Sequence, residues 1–270
     1  MEDMKELKQE LGRDRDHCCD DDRRLRPTAY GVDNLNRLIV FDIETPGVLI
    51  SMAGINGLQP GETILAIAVR PANGLLYGVG SSSRLYLLSA DGNAAAVNGA
   101  PFVPLLVGTN FGLATNPVVD ALRLVSDAGS NWVLNFNTGA VTVQTALSTG
   151  GIVSAAYTNS FAGATSTNLF TLDTLLNRLN LQAPPGSGVQ TPFNTLTLAV
   201  VTPNSGFDIH PRHNVGYVVV QVGTQSTLNK LDILTGQTRN VGLIGDGQPL
   251  RAFALAAVPN APLFCDTNSD

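Results

Sequence analysis

Charged residues are scarce over most of this 270-residue chain. After Arg26 only 9 Lys and Arg and 13 Asp and Glu remain among 244 residues, and Lys230 is the one lysine there. The net charge of −6 argues against nucleic acid as a partner, because a phosphate backbone would not be attracted. The body therefore relies on Thr, Asn, Ser, Gln and Gly for solubility, a composition typical of secreted or assembled proteins.

Long hydrophobic runs are also missing. No stretch approaches the roughly 18 consecutive apolar residues that span a bilayer, so the sequence predicts no membrane span. The first residues, "MEDMKELKQE", are charged and lack the apolar region of a secretory signal. Export by another route, removal of a signal, and release on cell lysis all remain open explanations.

Side chains for catalysis are few, with three histidines and three cysteines. There is no P-loop, no dinucleotide fingerprint and no Ser-His-Asp order. The Gly-rich stretch "GVGSSS" joins two predicted strands, which is the wrong context for phosphate binding. We therefore predict a protein that is not an enzyme, with no catalytic residues, no cofactor and no metal.

What the chain does contain is an internal repeat. Five similar segments, "TAYGVD", "LLYGVG", "ALRLVS", "NLFTLD" and "VGYVVV", start 46 or 47 residues apart, at Thr28, Leu75, Ala121, Asn168 and Val215. Each is followed by a turn and a second apolar segment such as "RLIVFD", usually followed by a Gly-containing turn and a third. Alternating apolar residues bounded by Gly, Asn, Asp and Pro predict antiparallel strands.

A further strand precedes the first one of each repeat, as in "ILAIAVRP" from Ile64. Four strands at this period predict an all-β, five-bladed β-propeller. Nothing precedes Thr28 that could form its innermost strand, whereas "AFALAAVP" from Ala252 has no repeat after it. We expect this C-terminal strand to close the first blade. The predicted domains are an extended, charged arm (1–27), the propeller (28–258) and a C-terminal tail (259–270).

The alignment of these innermost strands also predicts a narrow ring. Large and small side chains alternate along most of them, as in Phe111, Gly112, Leu113 and Ala114. Such alternation lets neighbouring blades pack large against small side chains around a crowded axis.

Three stretches resemble a known bacterial family. They are "GLQPGETILAIAVRPANGLLYGVGSSSRLYLL", "NFGLATNPVVDALRLVSDAGSNWVLNFNTGAV" and "AYTNSFAGATSTNLFTLDT". They are similar to the domain of unknown function 4394 family (DUF4394), over about Thr28 to Val258. The resemblance implies a propeller, usually in secreted or surface proteins, and implies no catalysis. It also implies a location outside the cell, or on the surface of a cell or spore.

Asp208 and His210 form the one ionisable pair in the aligned innermost strands. With His213 they suit a metal site or a proton relay, since carboxylate and imidazole groups can share a ligand or a water molecule. The alternative is that Asp208 and His210 bond each other, or a water on the axis. We expect an axial polar pair without a catalytic role.

Acidic residues end several strands that should meet on one face of the propeller. Asp33, Asp127 and Asp173, with Asn34, Asn36 and Asn131 nearby, suit a calcium or sugar site. Asp and Asn also cap tight turns, which explains the same residues without any ligand.

The arm differs from the body in its dense charge and its adjacent cysteines. Its stretch "RDRDHCCDDDRRLR" places His17, Cys18 and Cys19 side by side, closer together than metal ligands usually are. A solvated tail with reduced cysteines is one interpretation, because dense charge favours disorder. The other is a covalent linker, since Cys18, Cys19 and Cys265 are odd in number and all lie in the tails. Met4, Leu7 and Leu11 recur at helical spacing and predict a short helix that docks on a partner.

These features leave two classes of function and a weaker third. The first is a structural subunit of a filament, appendage or coat, a head-to-tail homopolymer of copies of itself with interchain disulfides between Cys18 or Cys19 and Cys265. The second is a soluble module that binds a glycan or a surface protein. The third is a lactonase-like metal hydrolase, for which no cluster of carboxylates is found on the axis.

Overall fold

The structure, a computed structural model, describes residues 4–5, 8–9, 28–198 and 202–257. Residues 4, 5, 8 and 9 are helical, a short 3₁₀ helix spans Pro185–Ser187, and the other regular elements are strands. No helix in these described ranges is long and apolar enough to cross a membrane.

Strands separated by turns and loops make up the body. They are β1 (Thr28–Asp33), β2 (Arg37–Asp42), β3 (Leu49–Gly54), β4 (Ile64–Val69), β5 (Leu76–Gly80), β6 (Arg84–Leu88), β7 (Ala94–Ala96), β8 (Phe111–Asn116), β9 (Ala121–Ser126), β10 (Asn131–Leu134), β11 (Val141–Val143), β12 (Ile152–Tyr157), β13 (Leu169–Asp173), β14 (Arg178–Leu181), β15 (Thr191–Thr195), β16 (Gly206–Ile209), β17 (Gly216–Val222), β18 (Gln225–Leu231), β19 (Thr238–Leu243) and β20 (Leu250–Leu255).

These strands form five antiparallel sheets of four, the blades of a propeller. Blade one has the order β20-β1-β2-β3, and blades two to five each use four consecutive strands from β4 to β19. The last strand pairs with the first, with Leu255 opposite Ala29 and Phe253 opposite Gly31. The predicted five-bladed fold and its closure by the C-terminal strand are both confirmed.

The innermost strands β20, β4, β8, β12 and β16 contact one another around the axis. Their approach is close enough to require glycine. A Cβ on Gly112 would lie 2.5 Å from the Cα of Ser154, and one on Gly206 would lie 2.5 Å from the Cβ of Phe253. The narrow ring expected from alternating large and small residues is therefore present.

Each of the five interfaces between blades holds its own apolar cluster. The cluster between blades three and four is smaller than the other four. A buried polar network occupies this interface as well. Arg123 Nε donates to the hydroxyl of Tyr157 at 3.0 Å, a guanidinium nitrogen of Arg123 donates to Asn131 Oδ1, and Gln182 Nε2 donates to the same oxygen at 3.2 Å.

Candidate functional site

The propeller axis has a pocket at each end. The five innermost strands run in the same direction, so their first residues meet at one end and their last residues at the other. We call these ends the upper and lower axial pockets. The upper pocket includes Leu65, Phe111, Val153, Ser205 and Arg251. The lower pocket includes Val69, Thr115, Tyr157, Ile209 and Leu255.

The two pockets differ in size. The upper pocket has a volume of about 210 Å³ and the lower pocket about 20 Å³. A single water molecule needs roughly 10–15 Å³ on this measure. The lower pocket therefore has room for about one water molecule, whereas the upper pocket can hold a small organic ligand.

Arg251 brings a positive charge to the upper pocket. This side chain is half-buried, and its Nη2 donates a hydrogen bond to the backbone oxygen of Asn34 at 2.6 Å. Burial lowers the pKa of Arg251, and the nearby charge of Asp33 opposes that shift. Among the described residues, no carboxylate forms an ion pair with Arg251.

Asp33 does not neutralise Arg251 directly because it is already occupied. Its Oδ1 accepts hydrogen bonds from the backbone N–H groups of Leu35 and Arg37, at 3.0 and 2.8 Å. Its Oδ2 accepts from Arg37 Nε at 2.7 Å, within an ion pair between the two side chains. The Asp33 carboxylate thus caps the β1–β2 turn and pairs with Arg37.

Asp127 positions the loop before β8, whose residues Thr109 and Asn110 line the upper pocket. Its carboxylate accepts hydrogen bonds from the backbone and hydroxyl of Thr109, at 2.9 and 2.5 Å, and from the backbone and side-chain amide of Asn110, at 3.1 and 2.8 Å. Burial alone would raise the pKa of Asp127, but these bonds together hold that pKa below its ordinary value. These bonds therefore hold the loop before β8 against the turn that follows β9.

Ser205 completes the polar part of the upper pocket. It is 4% exposed, and its Oγ hydrogen-bonds to no described residue. A buried hydroxyl normally has a partner, and this oxygen is enclosed by the protein without one among the described residues.

Asp208 lies in the lower pocket, close to the end of β16. Its Oδ1 accepts from the backbone N–H of Ile209 and its Oδ2 from that of Leu255, both at 2.8 Å. Burial raises the pKa of Asp208 to about 7 although both hydrogen bonds act in the opposite direction. The pocket beside this carboxyl group has room for about one water molecule.

His210 lies in the turn after β16 and is buried. Its Nδ1 accepts from the backbone N–H groups of Arg212 and His213, both at 3.2 Å. The His210 and His213 rings lie 4.5 Å apart between centroids. Asp208, in contrast, accepts from the backbone N–H groups of Ile209 and Leu255. A polar network shared by Asp208 and His210 stays a prediction.

The remaining acidic and amide candidates are engaged in turns and between strands. Asp173 Oδ1 accepts from the backbone of Leu175 and Leu176, at 3.1 and 3.0 Å, and Asn36 Oδ1 accepts from that of Ile64 at 2.9 Å. Turn capping thus accounts for Asp173, as it does for Asp33, whereas Asn36 connects its turn to β4 of the next blade. Within the described part of the chain, no group of three or more His, Cys, Asp or Glu side chains could hold a metal ion.

The sequence reasoning missed Arg251 and Ser205. Both fall one position before the aligned innermost strands, in a column that also contains Thr63 and Thr109. Four of the five residues in this column are polar although the strands that follow are apolar, and this contrast is the signal that the sequence contains.

A second surface of interest lies on the outside of blade four. Lys8 Nζ donates to Asn194 Oδ1 at 3.4 Å and lies 5.0 Å from the centroid of the Phe193 ring. Met4 packs against the apolar cluster between blades four and five. We call the surface formed by Phe193 and Asn194 the arm site. The predicted arm contacts of Leu7 and Leu11 lie outside the described residues. The same holds for the three cysteines, Cys18, Cys19 and Cys265.

The family resemblance is confirmed by sequence comparison. The profile of the family described as "Domain of unknown function (DUF4394)" matches residues 37–254, which is most of the propeller. No curated protein matches the chain.

Several solved structures are similar to this chain in structure comparison. A chain of a nidogen–laminin complex is 10% identical with a TM-score of 0.48, and covers 85% of this chain and 98% of its own. A protein of unknown function from Bacteroides thetaiotaomicron is 17% identical with the same TM-score, covering 80% of this chain and 58% of its own. TolB from Acinetobacter baumannii is 12% identical with a TM-score of 0.42, covering 86% and 67%. Likenesses at this level carry no argument about function.

Proposed function

We propose that this protein, which belongs to the DUF4394 family, is a non-catalytic structural subunit that assembles head to tail through its N-terminal arm. The product is an extracellular filament, appendage or coat, on the surface of a cell or spore, held by interchain disulfides. The observation that carries the proposal is the contact between the arm and blade four.

That contact combines two favourable interactions. The thioether chain of Met4 adds apolar area to the cluster between blades four and five. The ammonium group of Lys8 lies over the Phe193 ring, where a cation is attracted by the electron-rich face. The arm site therefore recognises both an apolar and a cationic residue, four positions apart on one helical face.

The same site on a neighbouring copy is equally suited to the arm. The 18 residues from 10 to 27 join the docked segment to β1, and a chain of that length spans up to roughly 60 Å when extended. Exchange of an identical segment between copies replaces each contact with the same contact, so it costs little. A head-to-tail exchange that does not close a ring produces a filament.

Cysteine placement favours covalent completion of this contact. The chain has three cysteines, Cys18 and Cys19 before the propeller and Cys265 after it. We propose a bond from Cys18 or Cys19 of one copy to Cys265 of the next. An odd number leaves at least one thiol for a second chain, and such bonds form outside the reducing cytosol.

Non-reducing gel electrophoresis tests the assembly. We expect the full chain to give a ladder of bands that reductant collapses to the monomer. A chain that begins at residue 28 keeps the propeller and serves as the control, and it should give one monomer band. A single monomer band for the oxidised full chain would contradict the proposal.

A second candidate function is a soluble module that binds a glycan or a protein. The observation that favours it is the polar upper axial pocket, which has room for a small ligand. A monomer that binds such a ligand would support this alternative in place of assembly.

A further inference from the structure

We propose that the upper axial pocket binds a small ligand that carries a carboxylate group, with the size and polarity of a uronic acid. This inference rests on the second candidate function and names its ligand class. It is independent of the arm, because none of the described arm residues lines the pocket.

The charge of the pocket favours an anion. Arg251 is the one charged residue among the described residues that line it. Two carboxylates in the loops beside the pocket are committed elsewhere: Asp33 to Arg37 and the β1–β2 turn, and Asp127 to Thr109 and Asn110. The cationic charge of Arg251 is therefore available to a ligand.

The guanidinium group of Arg251 also has donors to offer. Among the described residues, its one hydrogen bond is from Nη2 to the backbone oxygen of Asn34. A guanidinium group has five N–H donors in a planar fork that matches the two oxygens of a carboxylate. Because Arg251 is half-buried, a bond formed there is screened by water less than one on an open surface.

The rest of the pocket suits a hydroxylated ring. Asn204 lines the pocket with an exposed side-chain amide, which can donate to and accept from a hydroxyl group. Leu65, Phe111 and Val153 add an apolar wall. A sugar acid presents all three matching features: a carboxylate, hydroxyl groups and an apolar C–H face.

An NMR titration of the isotope-labelled protein with sodium D-glucuronate tests this ligand class. D-glucose has the same ring without the carboxylate, and sodium chloride at equal ionic strength controls for salt. We expect saturable shifts of Asn34, Ser205 and Arg251 with glucuronate, and binding of glucose weaker by roughly ten-fold or more, since hydrogen bonds to charged groups are the stronger ones.

Three variants locate the site. Arg251→Gln should weaken glucuronate binding by roughly ten-fold or more, whereas Arg239→Gln, an exposed arginine on β19, should leave it unchanged. Asn204→Ala, at an exposed side chain that lines the pocket, should weaken it by a smaller factor and keeps the test valid if Arg251→Gln does not fold. No saturable shift with glucuronate, equal binding of glucose, or full binding by Arg251→Gln would each overturn the proposal. A ladder on the non-reducing gel bears only on assembly, so the two failures are distinguishable.

Discussion

The side chain of Asp208 accepts a hydrogen bond from the backbone N–H of Leu255 at 2.8 Å. Asp208 belongs to blade five and Leu255 to β20, the strand that closes the ring on blade one. A partly buried carboxyl group thus connects the last blade to the C-terminal strand at the point of closure.

The burial of Asp208 predicts a pH dependence of stability. The pKa of Asp208 is raised from 3.8 to about 7 in the fold, so between these values the folded chain binds more protons than the unfolded one. The contribution of Asp208 to the free energy of unfolding therefore falls as pH rises from about 4 to about 7, by at most about 1.4 kcal/mol per pH unit. Asp208→Asn should remove that slope, as measured by urea unfolding across this range.

Glu62 provides a control of opposite sign. Burial would raise its pKa, but hydrogen bonds from Ser82, Tyr86 and Gln59 together hold the pKa below 4.5. Its stabilising contribution is present above the unfolded pKa and is lost as pH falls through the lower folded pKa. Glu62→Gln should therefore lower stability at neutral pH, and its difference from the natural chain should shrink toward acid pH. Equal pH profiles for Asp208→Asn and the natural chain would show that Asp208 does not titrate in this range.

Close packing around the axis gives a second prediction. Gly112→Ala should destabilise the propeller by about 1–3 kcal/mol, because the added Cβ would meet the backbone of Ser154 at 2.5 Å. Gly54→Ala on β3 is the matched control, with no atom within 4 Å of its added Cβ. Thermal unfolding measures both, and a similar loss for the two variants would contradict the tight ring.

The ring and its closure were predictable because they follow from a regular period. The 46- to 47-residue spacing and the unpaired strand at Ala252 give the number of blades and the position of the last strand. The axial site was less accessible to sequence reasoning. Arg251 has no distinctive motif, and its importance arises only where five strands that are distant in sequence meet at the axis. The raised pKa of Asp208 likewise depends on burial, which spacing does not report.

Arg123 is a buried cation that the sequence did not single out. Arg123→Ala should cost about 2–4 kcal/mol, because it leaves the hydroxyl of Tyr157 and the Oδ1 of Asn131 without this donor. Tyr157→Phe alone should cost about 1 kcal/mol, and the double variant should cost less than the sum. Chemical denaturation of the four proteins measures this coupling. Additive losses would mean that the two side chains act independently.

The arm site gives a fourth prediction. Met4→Gln should slow the formation of disulfide-linked oligomers on the non-reducing gel several-fold, because the substitution removes about 1 kcal/mol of apolar contact between the arm and the propeller. Lys5→Gln, on the exposed side of the same helical segment, is the matched control and should assemble at the natural rate. If both variants behave alike, Met4 does not guide assembly.

Disulfide mapping tests the assembly account most directly. Subunits labelled with a heavy isotope are mixed with unlabelled subunits, oxidised, digested without reduction and analysed by mass spectrometry. The account predicts mixed-label peptides that join Cys18 or Cys19 of one copy to Cys265 of another. Three free thiols, or disulfides only within one chain, would contradict it.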